Sequence, residues 1–237
     1  NNIKKSVITD IYKVKNEIRD IISQVSKESQ TEIANIRLNV PVVNSLTSYF
    51  SSEISVSDER ISDLHLKKSV NESAILDPVD KYKVIHRSVI NYELDKISNI
   101  LDPRGMFGDN LKVYFYKLAI RENYIKTIRT IFEQLNIHIE NFVPTPLSSA
   151  LAILKNDEKE LGSISIDLGA GSTSISIFEN NKLIYLDAIS VGGQHITKDI
   201  ARGLSTTIES AERLKTLYGS VITNPSDDYE LIDVHVL

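Results

Sequence analysis

The chemistry-bearing residues concentrate in one string, Ser165-Ile166-Asp167-Leu168-Gly169-Ala170-Gly171-Ser172-Thr173-Ser174. Ile164 and Ile166 alternate with polar neighbours before the glycines, and Ile175 and Ile177 do so after them, so the glycines join two strands. Glycines directly after a strand let backbone amides approach a phosphate, because no Cβ intrudes. A dinucleotide-binding turn needs a helix straight after its glycines and a third Gly; Ser174 and the period-two pattern beyond it exclude that arrangement. A P-loop needs Lys-Ser/Thr after its last Gly, and none follows. Two readings remain. The turn wraps a phosphate, with Asp167 facing Mg2+ through the water shell of the ion, or it is a plain hairpin turn of the kind that uses glycine routinely.

A second Gly turn follows. Gly192-Gly193-Gln194 lies between a strand and a helix, another place where backbone amides and a helix N-terminus can meet an anion. On the next helix Glu212 and Lys215 stand three apart and share a face. They suit a ribose or a base edge, or form a surface ion pair. The five histidines (His65, His86, His138, His195, His235) show no ligand spacing and read as structural or surface residues, His195 included despite its place beside the turn. Arg104 reads as a solvated loop tip. Tyr114, Phe115 and Tyr116 read as strand packing, since a nucleic-acid stacking platform would need a basic groove beside them.

The elements that must hold these residues follow from periodicity. Ile11, Val14, Ile18, Ile21, Ile22 and Val25 form a helical stripe, with Thr9 or Asp10 as cap. Ile36, Leu38 and Val40 alternate as a strand. Residues 44–118 read as a small α+β insertion. A helix start is expected at Ser57-Asp58-Glu59-Arg60 and a break at Asp77-Pro78. Tyr82–Leu94 reads as a strand, Asp102-Pro103-Arg104-Gly105 as a turn, and Leu111, Val113 and Phe115 as another strand. A helix over 122–136, a strand over 137–142 and a helix over 147–154 come next. Asn156-Asp157-Glu158-Lys159-Glu160 reads as a charged, solvated linker and domain boundary. Beyond it lie three strands (the third over 183–191) and two helices. The last helix is expected to open on the capping box Thr206-x-x-Glu209 and to close at Gly219. Residues 229–237 read as the start of a further strand.

Composition bounds the rest. The chain has 237 residues, 41% of them apolar and 25% charged, with a net charge of −5, which suits one large or two modest globular domains. The absence of cysteine removes disulfides, thiolate metal sites and a cysteine nucleophile. No basic footprint points to nucleic acid. No run is long enough for a membrane span, and no signal-peptide pattern opens the chain, so a cytoplasmic location is the default.

The chain resembles the FtsA family of the actin-like ATPase superfamily. Asp167, Gly169, Gly171 and Thr173 match the second phosphate motif of the superfamily, Asp-x-Gly-x-Gly-x-Thr, on a hairpin. The stretch from Gly192-Gly193-Gln194-His195-Ile196-Thr197 through Asp199-Ile200-Ala201 is similar to the family's Gly-Gly turn and following helix. Ala211-Glu212-x-x-Lys215-x-x-Tyr218-Gly219 is similar to its adenosine-side helix. Val84-Ile85-His86 and Asp102-Pro103-Arg104-Gly105-Met106-x-Gly108 resemble its inserted subdomain 1C (the SHS2 domain), and Asp157–Gly162 resembles its linker. Ala170 stands where a third Gly is usual and Ser174 replaces a frequent Asp, which would weaken nucleotide binding.

The resemblance implies an α/β, actin-like (ribonuclease H-like) ATPase fold with an inserted α+β subdomain. It would comprise 1A over 1–43 and 119–157, 1C over 44–118, 2A over 158–228 and the start of 2B over 229–237. It implies that ATP and Mg2+ are held by Asp167 (the metal side chain), Gly169, Gly171, Ser172, Thr173, Gly192, Gly193, Gln194, Glu212 and Lys215, with no catalytic base assigned and at most weak ATPase activity. The family's first phosphate hairpin is expected before Asn1, and its membrane helix after Leu237, so this stretch alone is expected to be inactive. The implied role is in the cell cycle at the septum, within the divisome. There it links FtsZ to the inner membrane from the cytoplasmic face, takes late division proteins on 1C, and self-assembles into actin-like filaments. A metabolite kinase of the same superfamily and a division scaffold without nucleotide are the alternatives.

Overall fold

The computed structural model describes residues 3–4, 7–75, 80–222 and 231–234. Two compact units form, one from Asn1–Asp167 with Ser174–Ile189, the other from Leu168–Thr173 with Ser190–Leu237.

The first unit opens with the short antiparallel pair β1 (Ile3–Lys4) and β2 (Val7–Ile8). Helix α1 (Ile11–Ser29) follows, capped by Asp10, whose carboxylate accepts from the Lys13 amide. Only Val14 of its stripe is fully buried, while Ile18 and Ile22 pack against the core. Strand β3 (Asn35–Val40) precedes the insertion. The insertion is an antiparallel sheet in the order β4-β7-β5-β6, from β4 (Leu46–Arg60), β5 (Tyr82–Leu94), β6 (Ile97–Ile100) and β7 (Phe107–Arg121), with α2 (Asp63–Ile75) after β4. The chain then forms α3 (Glu122–Glu133) and β8 (His138–Pro144), which pairs parallel to β3. Apolar residues of β3, α3 and β8, among them Val40, Ile125, Ile128, Phe132 and Ile139, make one core cluster. Helices α4 (Thr145–Ile153) and α5 (Asn156–Leu161) lead to a three-stranded sheet in the order β11-β10-β9, built from β9 (Ser163–Leu168), β10 (Thr173–Glu179) and β11 (Lys182–Ile189). The second unit adds α6 (Gly193–Gly203) and α7 (Ile208–Tyr218).

Several expectations are corrected. Residues 57–60 do not open a helix; they continue β4, where Glu59 and Arg60 pair with Gly108 and Phe107 after an irregular register. Ladder hydrogen bonds outweigh the local capping tendency there, and the helix starts at Asp63. The expected linker at 156–160 is the helix α5, because the Glu158 carboxylate accepts from the Lys155 amide at its N-terminus. Thr207, not Thr206, caps α7 by accepting from the Ser210 amide, and Thr206 is buried instead. The expected break at Asp77-Pro78 lies outside the described residues, as does most of the expected closing strand; residues 231–234 have no regular structure.

In the third sheet the alternation holds but the buried face is the small one. Ser165, Ser174 and Ser176 are buried, whereas Ile164 and Ile166 are 59% and 60% exposed. Small side chains let α4 approach this face: Leu147 and Ala150 pack with Phe178, Leu183 and Leu186, and the Ser176 hydroxyl donates to the Pro146 carbonyl.

Tyr116 fastens the insertion to this sheet. Its hydroxyl donates to the Leu186 carbonyl (2.6 Å) and accepts from the Leu186 amide (3.0 Å), so one side chain satisfies both backbone groups of a β11 residue. Tyr49 donates to Ile184 O beside it, and Lys182 donates to Ile90 O and Leu101 O. Tyr116→Phe would leave both Leu186 groups without this partner. It should lower unfolding free energy by about 1–3 kcal/mol in denaturant titrations. Burial raises the Tyr116 pKa well above the ordinary tyrosine value. The native state therefore keeps a proton that an unfolded tyrosine releases near about pH 10. Stability should fall as pH rises past that value, and less steeply in Tyr116→Phe.

Candidate functional site

The glycine turn and the N-terminus of α6 belong to one unit and hold each other. Within the turn the Gly169 amide donates to Ser172 O at 2.9 Å. The first amides of α6 donate to its carbonyls, Gly193 N to Gly169 O (3.0 Å) and Gln194 N to Ala170 O (2.8 Å). The Thr173 hydroxyl ties the base of the turn to Val191 O (2.8 Å). Gly192 fits by having no side chain, since a Cβ there would lie 2.4 Å from Gly169 O and 2.8 Å from Ala170 O. His195 is structural, as expected: its Nδ1 accepts from the Gly192 amide at 3.1 Å.

The two sequence-predicted glycine turns thus meet, with divided roles. The Gly193 and Gln194 amides, expected to face an anion, are used on the carbonyls of the first turn. Those contacts fix the turn by its oxygens and leave the amides of Ala170 and Gly171 with no acceptor among the described residues. A Cβ on Gly171 would meet nothing within 4 Å, so packing does not require glycine there. Free amides beside open space fit a phosphate.

Beside the turn lies an open cleft of about 1080 Å³, lined by Ala170 and Gln194, by Thr197 and Lys198 of α6, and by α7 residues including Glu212, Arg213 and Lys215. Glu212 and Lys215 form an ion pair at 2.7 Å, one of the two arrangements their spacing allows. Sequence reasoning missed Thr197, which is 2% exposed and hydrogen-bonds to both members of the pair. The only signal was a β-branched hydroxyl residue one turn into α6 and facing α7. Hydrogen bonds from Lys215 and then from Thr197 hold the Glu212 carboxyl below its ordinary pKa.

Asp167 belongs to the other unit. It shares the face of Ser165, and Ser149 of α4 donates to its Oδ2 at 3.1 Å, a contact without a sequence signal. Its Oδ1 has no protein donor among the described residues. An available carboxylate oxygen suits Mg2+, which needs only one or two carboxylates when phosphates and water supply the rest. Among the described residues no three His, Cys, Asp or Glu cluster as an all-protein metal site. Ser174, where a second carboxylate is usual, is buried in β10.

Two family models match the chain, "Cell division protein FtsA" over residues 164–236 and "SHS2 domain inserted in FTSA" over residues 44–118. Among curated relatives, the cell division protein FtsA of Rhizobium meliloti (strain 1021) is 33% identical over 98% of this chain and 52% of its own length. The chain belongs to the FtsA family. The FtsA of Bacillus subtilis (strain 168) is 29% identical over 99% of this chain and 54% of its own length. The chain therefore spans about half the length of the curated relatives it matches. Solved structures place the fold among the actin-like ATPases. A PilM-PilN type IV pilus biogenesis complex aligns with TM-score 0.57 and 15% identity over 92% of this chain and 60% of that one. MreB5 of Spiroplasma citri bound to ADP aligns with TM-score 0.54 and 14% identity over 95% and 46%. Among the described residues no helix is long and apolar enough to cross a membrane.

Gly192→Ala should cost about 1–3 kcal/mol in unfolding free energy, because its methyl group would collide with backbone that cannot swing aside. In NMR titrations the Glu212 carboxyl should titrate below the ordinary glutamate range and move up toward it in Lys215→Met.

Proposed function

We propose that this chain carries part of the ATP- and Mg2+-binding apparatus of a cell-division protein. The observation that carries the reading is the Gly169–Ser172 turn, held by its carbonyls with the Ala170 and Gly171 amides free and open space over Gly171. Those amides and the turn at Ser172 and Thr173 would receive phosphate. Gly192, Gly193 and Gln194 would keep the turn in shape. Asp167 would hold Mg2+ through water, and Glu212 with Lys215 would meet the nucleoside. Bound Mg2+ would neutralise phosphate charge. In this reading the nucleotide serves mainly as a conformational and assembly ligand.

Family membership supports the wider role. The protein would link FtsZ to the inner membrane from its cytoplasmic face at the division site and assemble into actin-like filaments. The insertion over 44–118, subdomain 1C in this scheme, would receive later division proteins. Subdomain 1A would comprise 1–43 and 119–157, 2A would cover 158–228, and 2B would begin at 229.

Titration calorimetry of the full-length protein with ATP and Mg2+ tests the nucleotide reading. Gly171→Ala should keep its stability within about 0.5 kcal/mol yet bind ATP about tenfold more weakly, a loss of about 1.4 kcal/mol. Asp167→Ala should weaken binding about ten- to a hundredfold in Mg2+ and much less in EDTA. No heat of ATP binding by the wild type would overturn the reading in favour of a scaffold, and phosphate transfer to a sugar would favour a kinase.

A further inference from the structure

Lys215 offers three protons, and the structure shows three acceptors for them: Glu212 Oε2 at 2.7 Å, Thr197 Oγ1 at 2.9 Å and Gly193 O at 3.4 Å. None is left for a ligand. Thr197 Oγ1 in turn lies 2.5 Å from the same Glu212 Oε2 and 3.1 Å from Gly193 O. One carboxylate oxygen is thus held by two donors, and the other, Oε1, has no protein donor among the described residues. The pair lines the cleft, and the Glu212 side chain is 51% exposed. What this group offers a ligand is therefore an oriented acceptor and no donor.

Position narrows the ligand group. Gly193, whose carbonyl receives Lys215, sends its amide to Gly169 of the phosphate turn. The Glu212 carboxylate is joined to that turn through two residues, Lys215 and Gly193, and in a nucleoside triphosphate the group next to the phosphates is the sugar, whose hydroxyls donate. We infer that Thr197 is a positioning residue, its buried hydroxyl and the Lys215 ammonium together aiming Glu212 Oε1 at a ribose hydroxyl. This inference rests on the nucleotide reading and sharpens it, because it divides the Glu212–Lys215 pair into one ligand contact and one support.

The test is calorimetry on the full-length protein, comparing ATP with 2′,3′-dideoxy-ATP. Thr197→Val should bind ATP about tenfold more weakly, the loss of one hydrogen bond to a charged group. Thr197→Ser, which keeps the hydroxyl, should stay within about twofold of the wild type. Both variants and the wild type should bind 2′,3′-dideoxy-ATP alike, since the hydroxyls that Glu212 receives are gone. A purely structural role for Thr197 would weaken both nucleotides equally, and that result overturns the inference, as does unchanged ATP affinity in Thr197→Val. If Thr197→Val does not fold, Lys215→Met removes the other support and carries the same expectation. A wild type that binds 2′,3′-dideoxy-ATP as tightly as ATP also overturns the inference while leaving the nucleotide reading intact. A wild type that binds neither ends both.

Discussion

The candidate site depends on a close approach of two backbones, the Gly192–Gln194 segment against the Gly169–Ala170 carbonyls. A helix N-terminus has amides without intrahelical partners, and a tight turn has carbonyls that its strands do not fully use. Here each supplies what the other lacks, at 3.0 and 2.8 Å. The contact requires Gly192, because any Cβ would occupy the space of Gly169 O. With the Gly169 and Ala170 oxygens committed to α6, the Ala170 and Gly171 amides are left without an acceptor among the described residues. The turn is thus held by neutral backbone pairing, without a basic side chain in it.

Hydroxyl groups serve as backbone partners throughout the chain. Tyr116 takes both the amide and the carbonyl of Leu186, and Thr173 reaches Val191 O. Each places a side chain where a strand neighbour or a further helical turn would otherwise be needed. In the first unit this joins the inserted sheet to β11 without a continuous ladder. In the second unit the Thr197 hydroxyl, bonded to the Glu212 and Lys215 side chains, joins α6 to α7, two short helices whose own apolar contact is modest, with Thr197, Ala201 and Ala211 as their buried residues. Small side chains bring such helices close enough for a hydroxyl to reach.

The sequence pattern made most elements legible, because periodicity reports burial directly. The stripe of α1, the alternation of β3 and β7, and the strand-turn-strand around Gly169 all follow from it. Less legible was which face is buried. The alternation of Ile164 and Ile166 leaves the face open, and Ser165, Ser174 and Ser176 are the inner residues; the choice is made by α4, a partner that local pattern cannot see. Ser57–Arg60 failed for the same reason, since pairing with β7 outweighs a local helix signal. In the site, the glycine spacing made both turns legible, but not that the Gly193 and Gln194 amides would be consumed in holding the first. Thr197 carried almost no signal, because its role depends on the crossing of two helices.

That crossing also changes what the Glu212–Lys215 pair means. An exposed i,i+3 ion pair contributes little to stability, about 0–1 kcal/mol, because both long side chains sample other positions. Thr197 is buried, accepts from Lys215 and donates its one hydroxyl proton to Glu212, so it converts a loose surface pair into a directed one. Lys215 gains a fixed acceptor in Thr197 and a second in Gly193 O, and Glu212 gains a fixed donor. The same residues therefore connect the cleft wall to the α6 turn that shapes the glycine hairpin. Displacing Gly193 disturbs both, since its amide serves the hairpin and its carbonyl serves Lys215. Gly193 is therefore the residue at which the glycine turn and the Glu212–Lys215 wall of the cleft meet.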